Sequence, residues 1–366
     1  MKKWSRKWYN IGLIEFNLNK YLLEICFLFI LTITLLLTIK FKHKIFKFQL
    51  KYNAIQKVHL GFVPRVGGII IALYFYFWLI IDGKTNTFFL NKIVLIPALL
   101  VLIIGGIEDL KNNKVPPYFR LLVIFFGAVY YTYNLDSLPI LEIWYVGKYI
   151  NENLWLQILF YSICITALCN GLNMIDGMHG LLSFNAISIL FSVLILLQIS
   201  SINISYEGEM FFLICLLVVF LIFNFPFGKI FIGDAGAYWI GWILATSVID
   251  IFSNGDLNTW GAVLILSYPI IEVVFSTIRK SIQRYSPLKA DRLHLHLKLF
   301  DLLTRNTGKD NIDLFSSLTT LILMPLWIAP MIYIPWVNFH SYFALLFILI
   351  TSLIYFYLYL IIPTNK

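Results

Sequence analysis

The chain has 366 residues, of which 60% are hydrophobic and only 13% are charged. This composition is far more apolar than that of soluble globular domains, and it excludes a soluble protein of two or three ordinary domains. A net charge of +9 would suit a nucleic-acid-binding protein. In so apolar a chain it indicates the Lys and Arg excess of cytoplasmic membrane loops instead, so we expect a lipid bilayer and no nucleic acid as partner.

Apolar runs follow one another along the whole chain. Each is of the order of the roughly 20 residues that a membrane-spanning helix requires, and backbone hydrogen bonding in lipid requires such runs to be helical. Lys20 and Glu24 start the first run, which has no small-residue cleavage site, so we expect a retained helix and not a signal peptide. The predicted spans centre near residues 21–39, 66–82, 89–107, 119–134, 154–171, 181–199, 210–223, 237–253, 260–278, 317–337 and 341–362.

These runs predict an all-α integral membrane protein with about 10–11 transmembrane helices, because one of the eleven candidates is easily lost or merged. Residues 1–366 form a single polytopic domain in this interpretation. Basic and acidic loops alternate, and the basic loops are expected to face the cytoplasm. With an odd number of spans the N-terminus would lie outside, whereas its basic residues at 2–7 favour the cytoplasm. Either the count is off by one or an amphipathic N-terminal segment lies on the membrane surface.

Conspicuous polar residues collect at the cytoplasmic ends of the predicted spans. Charged groups near membrane depth are costly, so their positions are the best indication of a functional site. Five separated stretches share this placement: His59 with Pro64-Arg65-Val66-Gly67-Gly68, Glu108-Asp109, residues 170–180, Asn224 with Gly233-Asp234-Ala235-Gly236, and Asp291-Arg292-Leu293-His294-Leu295-His296. Their common placement predicts one site that is formed by cytoplasmic loops and helix ends.

The carboxylates in these stretches favour a divalent cation. Glu108 and Asp109 end a predicted span, where acids oppose the helix dipole and repel each other unless a cation or a basic partner is near. A solvated helix end is the alternative. Asp234 is either the N-cap of the helix that follows or a Mg²⁺ ligand. Because Glu108, Asp109 and Asp176 are expected in the same site, we favour the interpretation of Asp234 as a Mg²⁺ ligand.

Two further groups suit a nucleotide diphosphate. If the helix that carries Asn170 continues to Asp176, the spacing of three aligns Asn170, Asn173 and Asp176 on one face, where they can bind a nucleotide or complete a metal shell. A bare turn does not require that spacing. His294 and His296 lie two apart in a basic loop without nearby cysteines, which favours phosphate over zinc as their ligand.

The ninth predicted span contains two unusual residues. Pro269 removes a backbone hydrogen bond and is expected to bend the helix, either to admit a lipid tail or for structure alone. Glu272, three residues further along, is a carboxylate at membrane depth and therefore requires a partner.

Together these stretches resemble the polyprenyl-phosphate N-acetylhexosamine-1-phosphate transferase family, glycosyltransferase family 4. The family includes the enzymes that start O-antigen, enterobacterial common antigen and teichoic acid synthesis, and the peptidoglycan translocase. The resemblance covers about residues 57–300, and its histidine motif is that of the polysaccharide-initiating branch. The residues that carry it are Pro64-Arg65-x-Gly67-Gly68, Glu108-Asp109, Asn170-x-x-Asn173-x-x-Asp176-Gly177, Gly233-Asp234-x-Gly236 and Asp291-Arg292-x-His294-x-His296.

Three positions depart from the family pattern. Glu108 replaces an Asp, His179 stands where many members carry a second Asp, and Leu297 stands where several carry another His. The first departure lengthens a side chain beside the expected metal, and the second is expected to alter nucleotide or sugar preference. Because Asp234 is retained, we expect an active enzyme.

The resemblance implies transfer of an N-acetylhexosamine-1-phosphate from a UDP-sugar to undecaprenyl or another polyprenyl phosphate, with release of UMP. Mg²⁺, or Mn²⁺ in its place, would be bound by Asp234 and Asp176, and Asp109 would position or deprotonate the lipid phosphate. Whether attack is direct or passes through an aspartyl-phosphate is left open. The other residues expected in the site are Glu108, His294 and His296 for catalysis, and His59, Arg65, Asn170, Asn173, Asn224 and Arg292 for substrate binding.

The implied location is the bacterial cytoplasmic (inner) membrane with the site on the cytoplasmic face, and the implied pathway is lipopolysaccharide, capsule or cell wall synthesis. A homodimer is left open. Two alternatives remain: a transporter or flippase of lipid-linked sugars, and a catalytically silent relative, which Glu108 suggests. Transport sites lie near the bilayer midplane, often between internal repeats, whereas the acids here cluster at one membrane face and no repeat is evident.

Overall fold

The computed structural model describes residues 21–45, 62–83, 86–111, 115–142, 144–200, 202, 204–254, 257–289, 291–305, 311–337 and 341–363. Over these ranges the chain consists of α-helices and their connections. In chain order the helices are α1 (Leu22–Lys40), α2 (Lys42–Ile45), α3 (Gly67–Ile81), α4 (Lys92–Lys111), α5 (Pro117–Tyr133), α6 (Trp144–Asn151), α7 (Leu154–Ile175), α8 (Leu181–Ser200), α9 (Glu207–Asn224), α10 (Gly233–Asn254), α11 (Thr259–Ile265), α12 (Ser267–Ile282), α13 (Leu295–Thr304), α14 (Ile312–Ile322), α15 (Met324–Val337) and α16 (Ser341–Ile361).

Long apolar helices dominate the described part of the chain. Eight of them, with α14 and α15 counted together, are long and apolar enough to cross a bilayer, and the bent pair of α11 and α12 is a ninth if it forms one span. The other two expected spans are helical but shorter, with 15 residues in α3 and 17 in α5. At 1.5 Å per residue they reach about 23–26 Å, below the ~30 Å hydrocarbon thickness. The predicted all-α membrane fold is confirmed, and each expected span falls on a helix.

Helix α10 lies at the centre of the bundle, where nearly all of its residues are buried. It packs against α3, α4 and α7. The indole N–H of Trp239 donates to Tyr76 Oη at 3.1 Å, and that of Trp242 donates to the backbone oxygen of Val94 at 3.1 Å. An indole N–H without an acceptor would be costly in a membrane-embedded core, so these bonds orient α10 against α3 and α4.

The bend expected in the ninth span is present. Helices α11 and α12 meet at 80°, and Leu266 lies between them. The break precedes Pro269, which therefore occupies the first turn of α12, where its missing N–H costs no helical hydrogen bond.

Glycines allow three helices to approach closely at one end of the bundle. A Cβ at Gly68 of α3 would overlap severely with the Cα of Gly236 of α10, and a Cβ at Gly105 of α4 would lie 2.5 Å from Ala235 Cα. Small residues at such crossings let helix backbones come into contact, which stabilises helix association in lipid. The starts of α3 and α10 and the end of α4 therefore meet where several predicted site residues lie.

Replacing Gly68 with alanine is expected to destabilise the bundle, because the added methyl group forces α3 and α10 apart. Overpacking of this kind costs about 1–3 kcal/mol, which would lower the unfolding temperature of the detergent-solubilised protein. Gly106→Ala is the matched control, since a Cβ there meets only Ile69 Cδ1, at 3.7 Å. Equal unfolding temperatures for the two variants would contradict the tight crossing of α3 and α10.

Candidate active site

Two segments that precede helices are paired at this end of the bundle. The N–H of Phe231 donates to the oxygen of Pro64 at 3.0 Å, and the N–H of Gly67 donates back to the oxygen of Phe231 at 2.9 Å. The N–H of Gly68 donates to the oxygen of Ile232 at 2.9 Å. The two glycine motifs of the sequence, which lie more than 160 residues apart, are thus joined through their backbones.

Two carboxylates from other parts of the chain cap the N-terminus of α10. Asp109 accepts from the N–H of Asp234 at 3.2 Å and from that of Ala235 at 3.0 Å. Asp176 accepts from the N–H of Gly233 at 3.1 Å. The first N–H groups of a helix lack intrahelical acceptors and carry partial positive charge, so both acids stabilise the start of α10. The capping role that Asp234 itself could have filled belongs to these two residues.

The Asp234 carboxylate lies between two guanidinium groups. Arg65 Nη2 donates to Oδ1 at 2.5 Å, and Arg120 Nη1 donates to Oδ2 at 2.7 Å. Arg65 Nε is 3.6 Å from Asp109 Oδ1, and Arg120 Nη1 is 3.7 Å from Glu108 Oε1. The side chains of Arg65, Arg120 and Asp234 are 18%, 15% and 10% exposed, whereas those of Glu108 and Asp109 are only 2% and 1% exposed. Asp234 and its two arginines are therefore the more accessible part of the cluster.

Arg120 is a member of the cluster that the sequence motifs did not reveal. In the sequence its charge served only to mark a basic loop. The structure places it in the first turn of α5, inside a predicted span, with contacts to both Asp234 and Glu108. The signal that could have found it is the depth of the charge, since a cation inside an apolar run is itself an indication of function.

The cluster has an excess of negative charge. Four carboxylates face two guanidinium groups, an excess of two when all are ionised. Buried charge of one sign requires compensation, and hard oxygen ligands are those that Mg²⁺ and Mn²⁺ prefer. Glu108 Oε1 is buried without a hydrogen-bond donor, so the ligand set fits a divalent cation. No three His, Cys, Asp or Glu side chains converge into a complete metal site within the described residues, so substrate phosphates and water would supply the other ligands.

Two groups near the cluster have shifted pKa values. Burial raises the pKa of the Asp176 carboxyl well above its ordinary value, while Arg65 opposes the shift. Burial lowers the pKa of His296 to about 4, although Glu272 opposes it, so this imidazole is neutral at neutral pH. A divalent cation beside Asp176 would act in the same direction as Arg65 and favour the ionised carboxylate.

Asn170 and Asn173, which are predicted to share a helix face with Asp176, lie near the end of α7. The helix ends at Ile175, and Asp176 is its C-cap, so the predicted spacing of Asn170, Asn173 and Asp176 falls on helical backbone. Asn173 Nδ2 donates to Tyr238 Oη of α10 at 3.1 Å. Both asparagines are half-buried. Their role in substrate binding stays a prediction.

Asn224 and His179 have contacts within the fold. Asn224 is buried; it accepts from the N–H of Gly180 at 2.6 Å and donates to the oxygen of Ile230 at 2.7 Å. His179 Nδ1 donates to the oxygen of Pro226 at 2.8 Å. Both side chains therefore hold the turn before α8 against the segment before α10, and the predicted roles of Asn224 in binding and of His179 in sugar preference stay untested. His59 lies outside the described residues.

The histidine motif lies beside the Asp176 stretch. An ideal Cβ on Gly177 would be 3.6 Å from His296 Nε2, so His296 approaches the residue next to Asp176. The rings of His294 and His296 are stacked with centroids 5.7 Å apart. Arg292, also predicted to bind substrate, donates to both oxygens of Asp301, at 3.2 and 2.5 Å. The five sequence stretches thus meet as far as the structure describes them.

Comparisons with known proteins identify relatives of the chain. The model of glycosyl transferase family 4 matches residues 92–252, from the start of α4 into α10. The undecaprenyl-phosphate alpha-N-acetylglucosaminyl 1-phosphate transferase of Thermotoga maritima is 30% identical over 254 residues, which are 69% of this chain and 72% of that protein. The probable undecaprenyl-phosphate N-acetylglucosaminyl 1-phosphate transferase of Bacillus subtilis is 23% identical over 67% of each chain.

A third relative carries the name of a pentapeptide transferase. The phospho-N-acetylmuramoyl-pentapeptide-transferase of Thermotoga maritima is 26% identical over 64% of this chain and 76% of that protein. The matched region of the family model contains all four clustered carboxylates, Glu108, Asp109, Asp176 and Asp234. The chain therefore belongs to glycosyl transferase family 4 and is a membrane enzyme of the sugar-phosphate transferase class.

Proposed function

We propose that the chain transfers an N-acetylhexosamine-1-phosphate from a UDP-sugar to undecaprenyl phosphate, and so starts the synthesis of a cell-surface polysaccharide such as O-antigen or capsule. The observation that supports this most directly is the Asp234 carboxylate between Arg65 and Arg120, at the end of a membrane bundle. Guanidinium groups bind phosphate oxygens, and a carboxylate beside them can hold a divalent cation at the same point.

The proposed reaction is a phosphoryl transfer. An oxygen of the lipid phosphate attacks the β-phosphorus of the UDP-sugar, the bond from that phosphorus to the bridging oxygen breaks, and UMP leaves. Catalysis of such transfers consists mostly of positioning and charge neutralisation. Phosphate oxygens of the substrates would compete with Asp234 for the guanidinium groups of Arg65 and Arg120. Mg²⁺, or Mn²⁺, held by Asp234 and Asp176 would neutralise further diphosphate charge.

Asp109 supports direct attack by the lipid phosphate. Both of its oxygens accept backbone N–H groups of α10, and its side chain is 1% exposed. A carboxylate held in this way is poorly placed as a nucleophile, so we favour direct transfer over an aspartyl-phosphate at this residue. A phosphate monoester is largely ionised at neutral pH without a base, since its second pKa is about 6. Asp109 then acts as a positioning residue that fixes Asp234.

We place the site on the cytoplasmic face of the bacterial inner membrane. The ends of α4 and α7 and the starts of α3, α5 and α10 lie together at the site. The segments that lead into α3 and join α4 to α5 are rich in Lys and Arg, as cytoplasmic loops are, and so is the segment between α12 and α13. A UDP-sugar would then enter from the cytoplasm, and undecaprenyl phosphate from the adjacent leaflet.

A transporter of lipid-linked sugars is the alternative from another class of protein. Transporter sites lie near the bilayer midplane, at the interface of repeated halves. Asp234, Arg65 and Arg120 lie instead at or just beyond helix ends, which favours chemistry at the membrane surface.

The experiment that tests the proposal combines detergent-solubilised protein with undecaprenyl phosphate and a panel of UDP-N-acetylhexosamines. We expect Mg²⁺-dependent release of UMP and formation of a labelled lipid product. The names of the relatives make UDP-N-acetylglucosamine the first donor to test. Asp234→Asn is expected to lower kcat about 100-fold or more, because it removes the charge between the two arginines.

Asp250→Asn is the matched control. It removes a carboxylate from the opposite end of the same helix, where Asp250 accepts from Tyr206 Oη at 2.6 Å, and we expect it to retain activity. Folded wild-type protein that forms no product with any donor would contradict the proposed function. Equal losses in the two variants would contradict the special role of Asp234.

Glu108→Asp tests whether the chain is a silent relative. Glu108 Oε2 accepts from the N–H of Val115 at 3.0 Å, and the shorter Asp side chain would lose that bond. A hydrogen bond to a charged group contributes about 1.5–3 kcal/mol, so we expect UMP release to fall about 10-fold or more. A large gain from near-zero activity would show instead that Glu108 makes the natural chain silent.

A further inference from the structure

Helix α12 carries a buried polar stripe. Tyr268, Glu272, Ser276 and Arg279 recur every three or four residues, and all four are buried. Glu272 is 0% exposed. A carboxylate at this depth is costly unless it is paired, and the Asp234 cluster makes no use of it.

Glu272 has partners on two other segments. Its Oε1 lies 2.8 Å from His294 Nδ1, and Tyr355 Oη of α16 donates to its Oε2 at 3.0 Å. An ionised carboxylate only accepts hydrogen bonds, so Nδ1 is the nitrogen of His294 that carries hydrogen in this contact. The other nitrogen, Nε2, is 3.6 Å from Asp291 Oδ1, which is longer than a hydrogen bond. Nε2 is therefore the nitrogen that remains for a further ligand.

The contact is close to the proposed site. His294 stacks on His296, which approaches Gly177 next to Asp176. Glu272 is thus linked through two imidazole rings to the stretch that caps α10.

We propose that Glu272 is a positioning residue of the active site, which orients the ring of His294 so that Nε2 faces a phosphate oxygen of the donor. Tyr355 holds the carboxylate from the last helix. The substrate in this inference rests on the proposed function. A carboxylate that accepts from one imidazole nitrogen orients the ring and thereby directs the other nitrogen towards a ligand.

A purely structural role explains the contact less well. A buried ion pair contributes little net stability, and apolar side chains of similar volume would hold α12, α13 and α16 together at least as well. An apolar residue at position 272 could not accept from His294. The presence of a carboxylate is therefore better explained by what it does to the imidazole.

Other charged groups surround His294, but their partners differ. Asp291 accepts from Arg279 Nη2 at 3.0 Å and lies 3.8 Å from Lys280 Nζ, so its charge is shared with two cations. The buried or half-buried titratable and charged groups on the elements packed around His294 are Tyr268, Glu272, Arg279 and Lys280 on α12, Asp291 and Arg292 before α13, His296, Lys298 and Asp301 on α13, and Tyr355 and Tyr359 on α16.

The test uses Glu272→Gln, which keeps the shape of the side chain and removes its charge. We expect kcat/KM for UMP release to fall about 10–100-fold, as for other residues that orient a catalytic group. The loss is expected in kcat more than in the unfolding temperature, because the ring is misoriented within a folded protein. Tyr355→Phe should cause a smaller loss of kcat/KM.

Glu209→Gln is the matched control. It removes another buried membrane carboxylate, 2% exposed on α9, and should leave kcat/KM unchanged. If Glu272→Gln does not fold, Glu272→Asp keeps an acceptor carboxylate and should retain most of the wild-type kcat/KM. An unchanged kcat/KM in folded Glu272→Gln, or an equal loss in Glu209→Gln, would overturn the proposal.

A second readout does not depend on activity. In protein with ¹⁵N-labelled histidine, the His294 signals, assigned with His294→Gln, should show a hydrogen-bonded Nδ1–H in the wild type and a changed Nδ1–H signal in Glu272→Gln. Wild-type protein with this signature but without transferase activity would contradict the proposed function and retain the Glu272–His294 pair. Active protein whose His294 signals are identical in both forms would overturn the pair alone.

Discussion

The start of helix α10 depends on two carboxylates that other parts of the chain supply. Asp109, from the end of α4, and Asp176, from the end of α7, accept three successive backbone N–H groups there. Their carboxyl oxygens satisfy the N–H groups at the positive end of the helix dipole, and in a bundle with little water these bonds have few alternatives. Helices α3 and α4 approach α10 closely only because small residues line the crossings, as at Gly68 and Gly105. The site is thus built on the anchoring of one central helix.

This anchoring separates the acids into two kinds. Glu108 and Asp109 have backbone partners, are almost completely buried and hold the fold in place. Asp176 also has a backbone partner but is only half-buried. Asp234 is held by side chains alone, through Arg65 and Arg120, and is more exposed than Glu108 and Asp109. Contacts between side chains can be exchanged for contacts with phosphate or a cation without dismantling a helix, so Asp234 is the carboxylate best suited to chemistry. The second polar group, around Glu272 and His294, extends the site towards α16 through Tyr355.

Much of the fold could be predicted because bilayer crossing imposes a strong pattern on composition. The apolar runs predicted the helices, and α3 and α5 proved shorter than full crossings because run length alone does not show where a helix ends. The expectation that Glu272 requires a partner was confirmed, since the cost of a buried charge does not depend on knowing the fold. Its partners could not be predicted, because His294 and Tyr355 follow 22 and 83 residues later. Arg120 was missed for a similar reason: its contact with Asp234 spans 114 residues.

The sequence by itself determined the membrane class, the helices, the family and the short list of polar residues at one face. Each of these follows from local composition or from motifs whose members lie a few residues apart. Only the tertiary structure decided which acid does what. From the sequence Asp234 could be a helix cap or a ligand, and Asp109 a base, a nucleophile or a structural acid. The structure makes Asp109 and Asp176 the caps and leaves Asp234 to the arginines. The reason is physical, because the role of a carboxylate depends on the hydrogen-bond donors around it. These donors come from helices that only packing brings together.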